Sequence, residues 1–175
     1  MLVPEKYEWK IPAQLLFASD CRQTDLQAFP AMYSFAKLFK KGVNVVHLFS
    51  AYKTASEKER IKSNFHNYSY SMQRTFSNYT LKFKLGETES INEALIKLDN
   101  QLPHIILVMV RGAKSFFDKY LATSYTQVMA YLSSKPLLII PEGFHVKLKE
   151  EEAAITKNAG ELNLIIKKIK HTIKN

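Results

Sequence analysis

Apolar and polar residues follow two different periods along this chain, and the periods alternate in a regular order. Five short runs have the composition or the period of β-strands, at residues 13–19, 43–49, 79–85, 105–110 and 137–140. Between them, apolar residues recur at the spacing of three and four that marks one face of a helix. Strands that alternate with helices form right-handed βαβ units. The sequence therefore predicts a Rossmann-like α/β fold, an open, doubly wound five-stranded parallel sheet with helices on both faces.

Local signals refine the order and the ends of these elements. Residues 13–19 are mostly apolar, which favours a central strand, whereas residues 79–85 alternate so regularly that they predict a half-exposed strand at a sheet edge. Pro30 removes a backbone donor, so the first helix is expected to start near it or to kink there. Gly42 stands where helices commonly stop in the left-handed conformation. Two Ser-x-x-Glu sequences predict capping boxes, which begin at Ser56 and Ser90.

The same pattern divides the chain into three parts. An arm is predicted at residues 1–12, the α/β domain at 13–142 and a C-terminal helical tail at 143–175. The tail carries an apolar stripe, begins with acidic residues and ends with lysines, which suits a helix dipole. We expect it to pack on its own domain or on a partner subunit. A basic amphipathic helix on an anionic membrane is the alternative, which the lack of a large aromatic residue disfavours.

Composition and charge limit the possible partners. The 175 residues are 46% hydrophobic and 23% charged, as is usual for one globular domain. The net charge of +9 comes from scattered lysines without a nucleic-acid motif, so no nucleic-acid partner is predicted. The longest apolar run is too short to cross a bilayer and the charged first residues do not form a signal peptide. With one cysteine, Cys21, these features predict a cytoplasmic protein that has no membrane partner and no disulfide.

Chemistry is expected beyond the carboxyl ends of the strands, where open parallel sheets bind ligands at the point of reversed strand order. Asp20 and Cys21 follow the first strand, and residues 49–54 and 111–123 follow the second and fourth. Cys21 is interpreted as a small buried spacer, with a reactive thiol as the alternative. The five histidines have neither metal-ligand spacing nor a partnered nucleophile. The sequence therefore predicts no metal site and no catalytic residue.

Several segments, in this order, resemble the universal stress protein family over roughly residues 13–141. The similar segments are Leu15-Leu-Phe-Ala-Ser-Asp20, Val45-Val-His-Leu48, Leu85-Gly86 as the glycine turn into the third helix, and Ser134-Lys-Pro-Leu-Leu-Ile-Ile140. The resemblance implies a nonenzymatic protein, because members of the family bind nucleotides or act as dimeric stress and signalling modules. It also implies a homodimer that pairs its last strands, here from Leu137 to Ile140.

The family's binding fingerprint is glycine, two residues, glycine, nine residues, glycine, then serine or threonine. Its glycines let backbone amides approach the phosphates. The matching register is Met109, Gly112, Ala122 and Thr123, so two glycines are replaced, and Met109 is predicted to occupy space that a ribose or phosphate needs. The resemblance also implies that Asp20 accepts a hydrogen bond from adenine, although a strand-end turn suits it equally, and that Thr123 is a phosphate donor or a helix cap. Leu48 is implied as a further nucleotide-binding residue.

The resemblance therefore implies a regulatory stress-response protein whose adenine-nucleotide site is weak or lost, with no cofactor. The alternative is a functional ATP- or AMP-binding universal stress protein with an altered loop geometry. A third hypothesis is an enzyme of the wider adenine nucleotide α-hydrolase superfamily. Enzymes of that superfamily have a glycine-rich pyrophosphatase loop or a His-x-x-His motif near the first helix. Here Ser19-Asp20-Cys21-Arg22 contains no glycine and the histidine motif is absent, so this hypothesis is disfavoured. Weak ATP hydrolysis is the enzymatic alternative that remains.

Overall fold

A computed structural model describes residues 1–111 and 125–144 of the chain. Its strands are β1 (Gln14–Ala18), β2 (Val43–Ser50), β3 (Leu81–Thr88), β4 (Ile105–Arg111) and β5 (Leu137–Pro141). Its helices are α1 (Gln23–Leu38), α2 (Ala55–Thr75), α3 (Ile91–Gln101) and α4 (Tyr125–Leu132). The strands pair in parallel in the order β3-β2-β1-β4-β5, which confirms the predicted α/β fold, with β1 central and β3 at an edge.

The sheet is covered on both faces because successive residues of a strand point to opposite sides. One face packs against α1 and α2 in a buried cluster that includes Phe17, Val108, Phe29, Met32 and Met72. The opposite face packs against α3 and α4 in a second cluster that includes Leu16, Leu107, Met109, Leu95 and Met129. No helix in the described part of the chain is long and apolar enough to cross a bilayer. Most of the predicted C-terminal tail, from residue 145, lies outside the described residues.

The ends of α1 differ from the sequence prediction. The helix begins at Gln23 and contains Pro30 in its interior, so a start near Pro30 is wrong. After the helix, the residue with a left-handed backbone is Lys40, at φ 53°, and Gly42 is not the helix stop. Gly42 is instead required for close packing, since an added Cβ would lie 2.9 Å from the carbonyl oxygen of Thr80.

The helix caps of α2 and α3 satisfy backbone groups that the first turn leaves unpaired. At α2 the cap is Thr54, two residues before the predicted Ser56. The Thr54 hydroxyl accepts from the Glu57 N–H at 3.3 Å, and the Glu57 carboxylate accepts from the Thr54 N–H at 2.9 Å, so the two residues form a capping box. The Thr54 N–H, with nearby Lys53, lowers the pKa of Glu57 to about 2. At α3 the cap is Ser90, whose hydroxyl accepts from the Glu93 N–H at 3.3 Å, which is one of the two bonds of the predicted capping box.

The N-terminal arm reaches the outer edge of the sheet. Leu2 forms one antiparallel bridge with Leu137 at the start of β5, and two backbone hydrogen bonds of 2.8 and 2.9 Å close it. Farther along the arm, the Trp9 ring lies 6.3 Å from the Phe39 ring. The sequence predicted an arm but not this pairing.

Candidate functional site

The strand order reverses between β1 and β4, so their carboxyl ends form the crevice in which such sheets bind ligands. β1 leads directly to Ser19 and Asp20, β4 ends at Arg111, and α4 begins at Tyr125. Burial raises the pKa of the Tyr125 hydroxyl, and the charge of Asp20 raises it further, so the two groups lie within electrostatic range of each other. Three residues of the predicted fingerprint, Gly112, Ala122 and Thr123, lie outside the described residues.

Asp20 presents an accessible carboxylate at this crevice. Its side chain is 63% exposed, and its Oδ2 lies 3.4 Å from a guanidinium nitrogen of Arg22, which is itself 42% exposed. An exposed ion pair of this kind holds its members weakly, because water screens the attraction. The Asp20 carboxylate therefore remains accessible to a ligand.

Behind Asp20, the turn from β1 into α1 is held by a buried polar network that the sequence analysis missed. The Ser19 hydroxyl donates to Asp25 Oδ2 at 2.5 Å and forms a second hydrogen bond, of 3.0 Å, with the Tyr68 hydroxyl. Asp25 Oδ2 also accepts from the Asp20 N–H at 2.9 Å. All three side chains of Ser19, Asp25 and Tyr68 are buried. The available signal was Asp25 itself, an acidic residue on the apolar stripe of α1 with Ala28 and Phe29.

Cys21 lies in the same turn, in a left-handed backbone conformation at φ 58°. This conformation is unfavourable for a residue with a Cβ, and here the Cys21 N–H donates to the Ser19 hydroxyl at 3.0 Å. Burial raises the pKa of the Cys21 thiol to about 12. A thiol that keeps its proton is a poor nucleophile, which favours the interpretation of Cys21 as a spacer.

The buried carboxyl of Asp25 leads to a pH-dependent prediction. Burial raises its pKa above 3.8, the value for an unperturbed aspartate. The folded state thus keeps the proton to a higher pH than the unfolded chain. The stability that the protonated carboxyl contributes is fully present below pH 3.8, and it is lost as the pH rises through the pKa of Asp25 in the folded state. Asp25→Asn has no proton to lose. We expect the free energy of unfolding of Asp25→Asn, relative to that of the unchanged protein, to increase as the pH rises from about 3.5 to 7.

Urea unfolding at several pH values measures this difference. Glu59→Gln is the control, since it removes a carboxylate on α2 whose side chain is 73% exposed, and its effect on stability is expected to be small throughout. A difference between Asp25→Asn and the unchanged protein that stays constant with pH, or that shrinks as the pH rises, would contradict the prediction.

The two remaining predicted site residues have apolar surroundings. Met109 is a residue of β4 that pairs with Ala18 and Ile139, and only 7% of it is exposed, within the cluster between the sheet, α3 and α4. Leu48 packs at the border of the same cluster. A Cβ on Gly86 would lie 2.7 Å from Leu48 Cδ2, so these two residues of neighbouring strands fit closely. Gly86 lies within β3, and the predicted glycine turn at this position is wrong.

Leu48 and Gly86 also border an open groove of about 480 Å³ between β3 and α3. Its charged residues are of both signs, with Lys84 and Lys97 beside three acidic side chains, Glu87, Glu89 and Glu93. A mixed set of this kind does not select an anion, because the acidic groups repel it. The crevice at β1 and β4 is therefore the candidate site.

Solved structures resemble the chain, whereas no protein-family model and no curated protein sequence matches it. Universal stress protein UspA from Lactobacillus plantarum has a TM-score of 0.57 and 15% identity, over 76% of this chain and 99% of that one. The universal stress protein from Archaeoglobus fulgidus in complex with dAMP has a TM-score of 0.54 and 11% identity, over 74% and 97%. A universal stress protein in complex with cAMP has a TM-score of 0.56 and 14% identity, over 75% and 98%. This chain has the universal stress protein fold.

In this universal stress protein fold, a serine, a histidine and an aspartate lie close together near the end of β1. These are the residue types of a hydrolytic triad, but they do not form such a triad. His47 Nδ1 is 2.7 Å from the backbone oxygen of Ser19, so the imidazole contacts the main chain and not the hydroxyl. The hydroxyl instead donates directly to Asp25. A nucleophilic serine needs a base on its hydroxyl and access to substrate, and Ser19 is only 4% exposed. This cluster therefore supports the β1–α1 turn and does not form a serine-hydrolase relay.

Proposed function

We propose that this chain is a nonenzymatic regulatory module of the stress-response type, with an adenine-nucleotide site that is weak or lost. The observation that carries the proposal is the burial of Met109. The family resemblance gives this position a glycine, which leaves main chain bare for a sugar or phosphate. A packed thioether gives no such space, and moving it would open a cavity in the cluster around Met129.

A functional ATP- or AMP-binding site with altered loop geometry is the second candidate. The exposed carboxylate of Asp20 favours it, since a carboxylate at the end of β1 can accept a hydrogen bond from an adenine amino group. The proximity of Tyr125 also favours it, because an aromatic ring beside the crevice is a surface on which a base can stack. These two features would bind the base but do not hold phosphates.

Isothermal titration with ATP and magnesium distinguishes the two candidates. We expect a dissociation constant of about 1 mM or weaker, unchanged in Asp20→Ala, and no release of phosphate from ATP. A dissociation constant in the micromolar range that Asp20→Ala abolishes would instead establish the second candidate. Phosphate release at a rate that Asp20→Ala lowers would contradict the nonenzymatic assignment.

A pair of methionine variants tests the steric cause. Met109 and Met129 are buried in the same cluster, so Met109→Ala and Met129→Ala each leave a cavity there. If the thioether of Met109 excludes the nucleotide, Met109→Ala is expected to bind ATP at least about tenfold more tightly than Met129→Ala. Equal affinities would show that Met109 is not the obstacle.

We also propose that the chain forms a cytoplasmic homodimer through β5. This strand is at the edge of the described sheet, where Leu2 pairs with Leu137 alone, and the backbone groups left unpaired at an edge are a template for another strand. A reducing compartment suits a protein with a single cysteine. Multi-angle light scattering at micromolar concentration is expected to give the mass of two chains, and a monomer would contradict the proposal.

A further inference from the structure

The outer edge of β5 has few backbone groups that another strand can use. The Leu107 N–H donates to the Pro136 carbonyl at 3.0 Å, and the Glu142 N–H donates to the Arg111 carbonyl at 2.8 Å. Since alternate residues of a strand bond to the same neighbour, the backbone N–H and carbonyl groups of the even-numbered residues from 136 to 142 point toward β4. The backbone groups of the odd-numbered residues Leu137, Ile139 and Pro141 point away from the sheet.

The arm and a proline reduce this outward set further. Leu2 uses both outward groups of Leu137, because it accepts from the Leu137 N–H and donates to the Leu137 carbonyl. Pro141 has no N–H to donate. Of the outward residues in β5, Ile139 is therefore the one that offers both a donor and an acceptor while the arm is bound.

The tip of the arm is held lightly enough to be exchanged. It joins the sheet through a single bridge, and the first three side chains, Met1, Leu2 and Val3, remain 53%, 47% and 46% exposed. The arm is attached again farther along, where the Trp9 ring lies 6.3 Å from the Phe39 ring and the Ala13 N–H, just before β1, donates to the His104 carbonyl. Leu2 can thus detach without disturbing the start of β1.

We propose that the tip of the arm competes with a second copy of this chain for the edge of β5. The inference rests on the proposed homodimer. The bridge with Leu2 is itself antiparallel, so the edge already accepts a strand in the direction that a two-fold symmetric pair requires. With the arm bound, the pair is centred on Ile139, which exchanges its N–H and carbonyl bonds with Ile139 of the second copy.

Detaching the arm lengthens this interface. In the register centred on Ile139, Leu137 lies opposite Pro141 of the second copy, and its freed N–H donates to that proline carbonyl. By symmetry the second copy adds the same bond, so the backbone bonds across the interface double. The arm therefore acts as a cap on the edge, and its release strengthens the dimer.

Sedimentation equilibrium of the full chain and of Leu2→Pro tests the proposal. Proline at position 2 cannot donate to Leu137, whereas the control Leu2→Ala keeps the backbone bonds and trims only the side chain. We expect Leu2→Pro to lower the dimer dissociation constant roughly tenfold relative to both Leu2→Ala and the unchanged chain. An unchanged or higher constant in Leu2→Pro overturns the competition.

A third variant separates this failure from failure of the homodimer itself. Ile139→Pro removes the outward backbone N–H of residue 139, at an edge position where proline is tolerated. It is expected to weaken the dimer both in the chain with the unchanged arm and in the chain that carries Leu2→Pro. If Ile139→Pro disrupts the dimer but Leu2→Pro does not tighten it, β5 pairing stands and the arm proposal falls. If a dimer forms that Ile139→Pro leaves unchanged, its interface lies elsewhere and the arm proposal falls. A monomer in every variant overturns both.

Discussion

Phe29→Ala is expected to lower the free energy of unfolding by about 3–5 kcal/mol, the range for deleting a fully buried aromatic ring. Phe29 is 0% exposed and lies in the middle of α1. Its ring centroid is 4.3 Å from that of Phe76 and 6.1 Å from that of Tyr79, two residues of the connection between α2 and β3. The ring therefore joins α1 to this connection within the buried cluster on one face of the sheet, and alanine leaves a cavity there.

Urea unfolding followed by circular dichroism measures this loss. Leu38→Ala is the matched control, because Leu38 belongs to the same helix but is 74% exposed, and its effect is expected to stay within about 0.5 kcal/mol. Similar losses in the two variants would mean that the aromatic cluster around Phe29 is not packed as described.

Asp99→Ala is expected to lower the free energy of unfolding by about 2–4 kcal/mol. Asp99 of α3 is 1% exposed and accepts three hydrogen bonds from the turn between α4 and β5. The donors are the Ser133 hydroxyl at 2.8 Å, the Ser134 N–H at 2.7 Å and the Ser134 hydroxyl at 2.8 Å. Alanine removes all three bonds to the carboxylate and leaves the Ser134 N–H without its acceptor, whereas the Ser133 hydroxyl can still donate to the Lys135 carbonyl at 2.9 Å.

Two further variants of α3 complete the test of Asp99. Asn100→Ala changes the adjacent, exposed residue and is expected to have little effect. Asp99→Asn keeps one acceptor oxygen, so a loss between those of the other two variants is expected. If thermal and urea unfolding gave Asp99→Ala and Asn100→Ala equal stability, the carboxylate would not fix the turn before β5.

The main strands and helices of the fold could be predicted from the sequence, because each depends on a local pattern of apolar and polar residues. The strict alternation of β3 predicted an edge strand, and the apolar run of β1 predicted a central one, and both were confirmed. The boundaries were less accessible. Thr54-Ala-Ser56-Glu57-Lys58-Glu59 contains two overlapping capping boxes, and their local patterns are equivalent. The tertiary structure selects the earlier one by starting α2 at Ala55.

The candidate site was only partly accessible from sequence. Asp20 was predicted at the end of β1, and the structure brings it to the crevice near Tyr125. The network that holds this turn was missed, because Ser19 and Tyr68 are 49 residues apart and neither is unusual in its local sequence. The implied nucleotide contacts of Met109, Gly112, Ala122 and Thr123 stay predictions.

By itself, the sequence determined which segments become strands and helices and the faces that they bury, because the period of apolar residues specifies both. Only the tertiary structure decided that Asp25 and Asp99 are buried acceptors and that Leu2 lies on Leu137. The physical reason is that backbone edges are chemically alike in every sequence. A pairing between residues 2 and 137 therefore depends on where the fold brings them and leaves no local pattern.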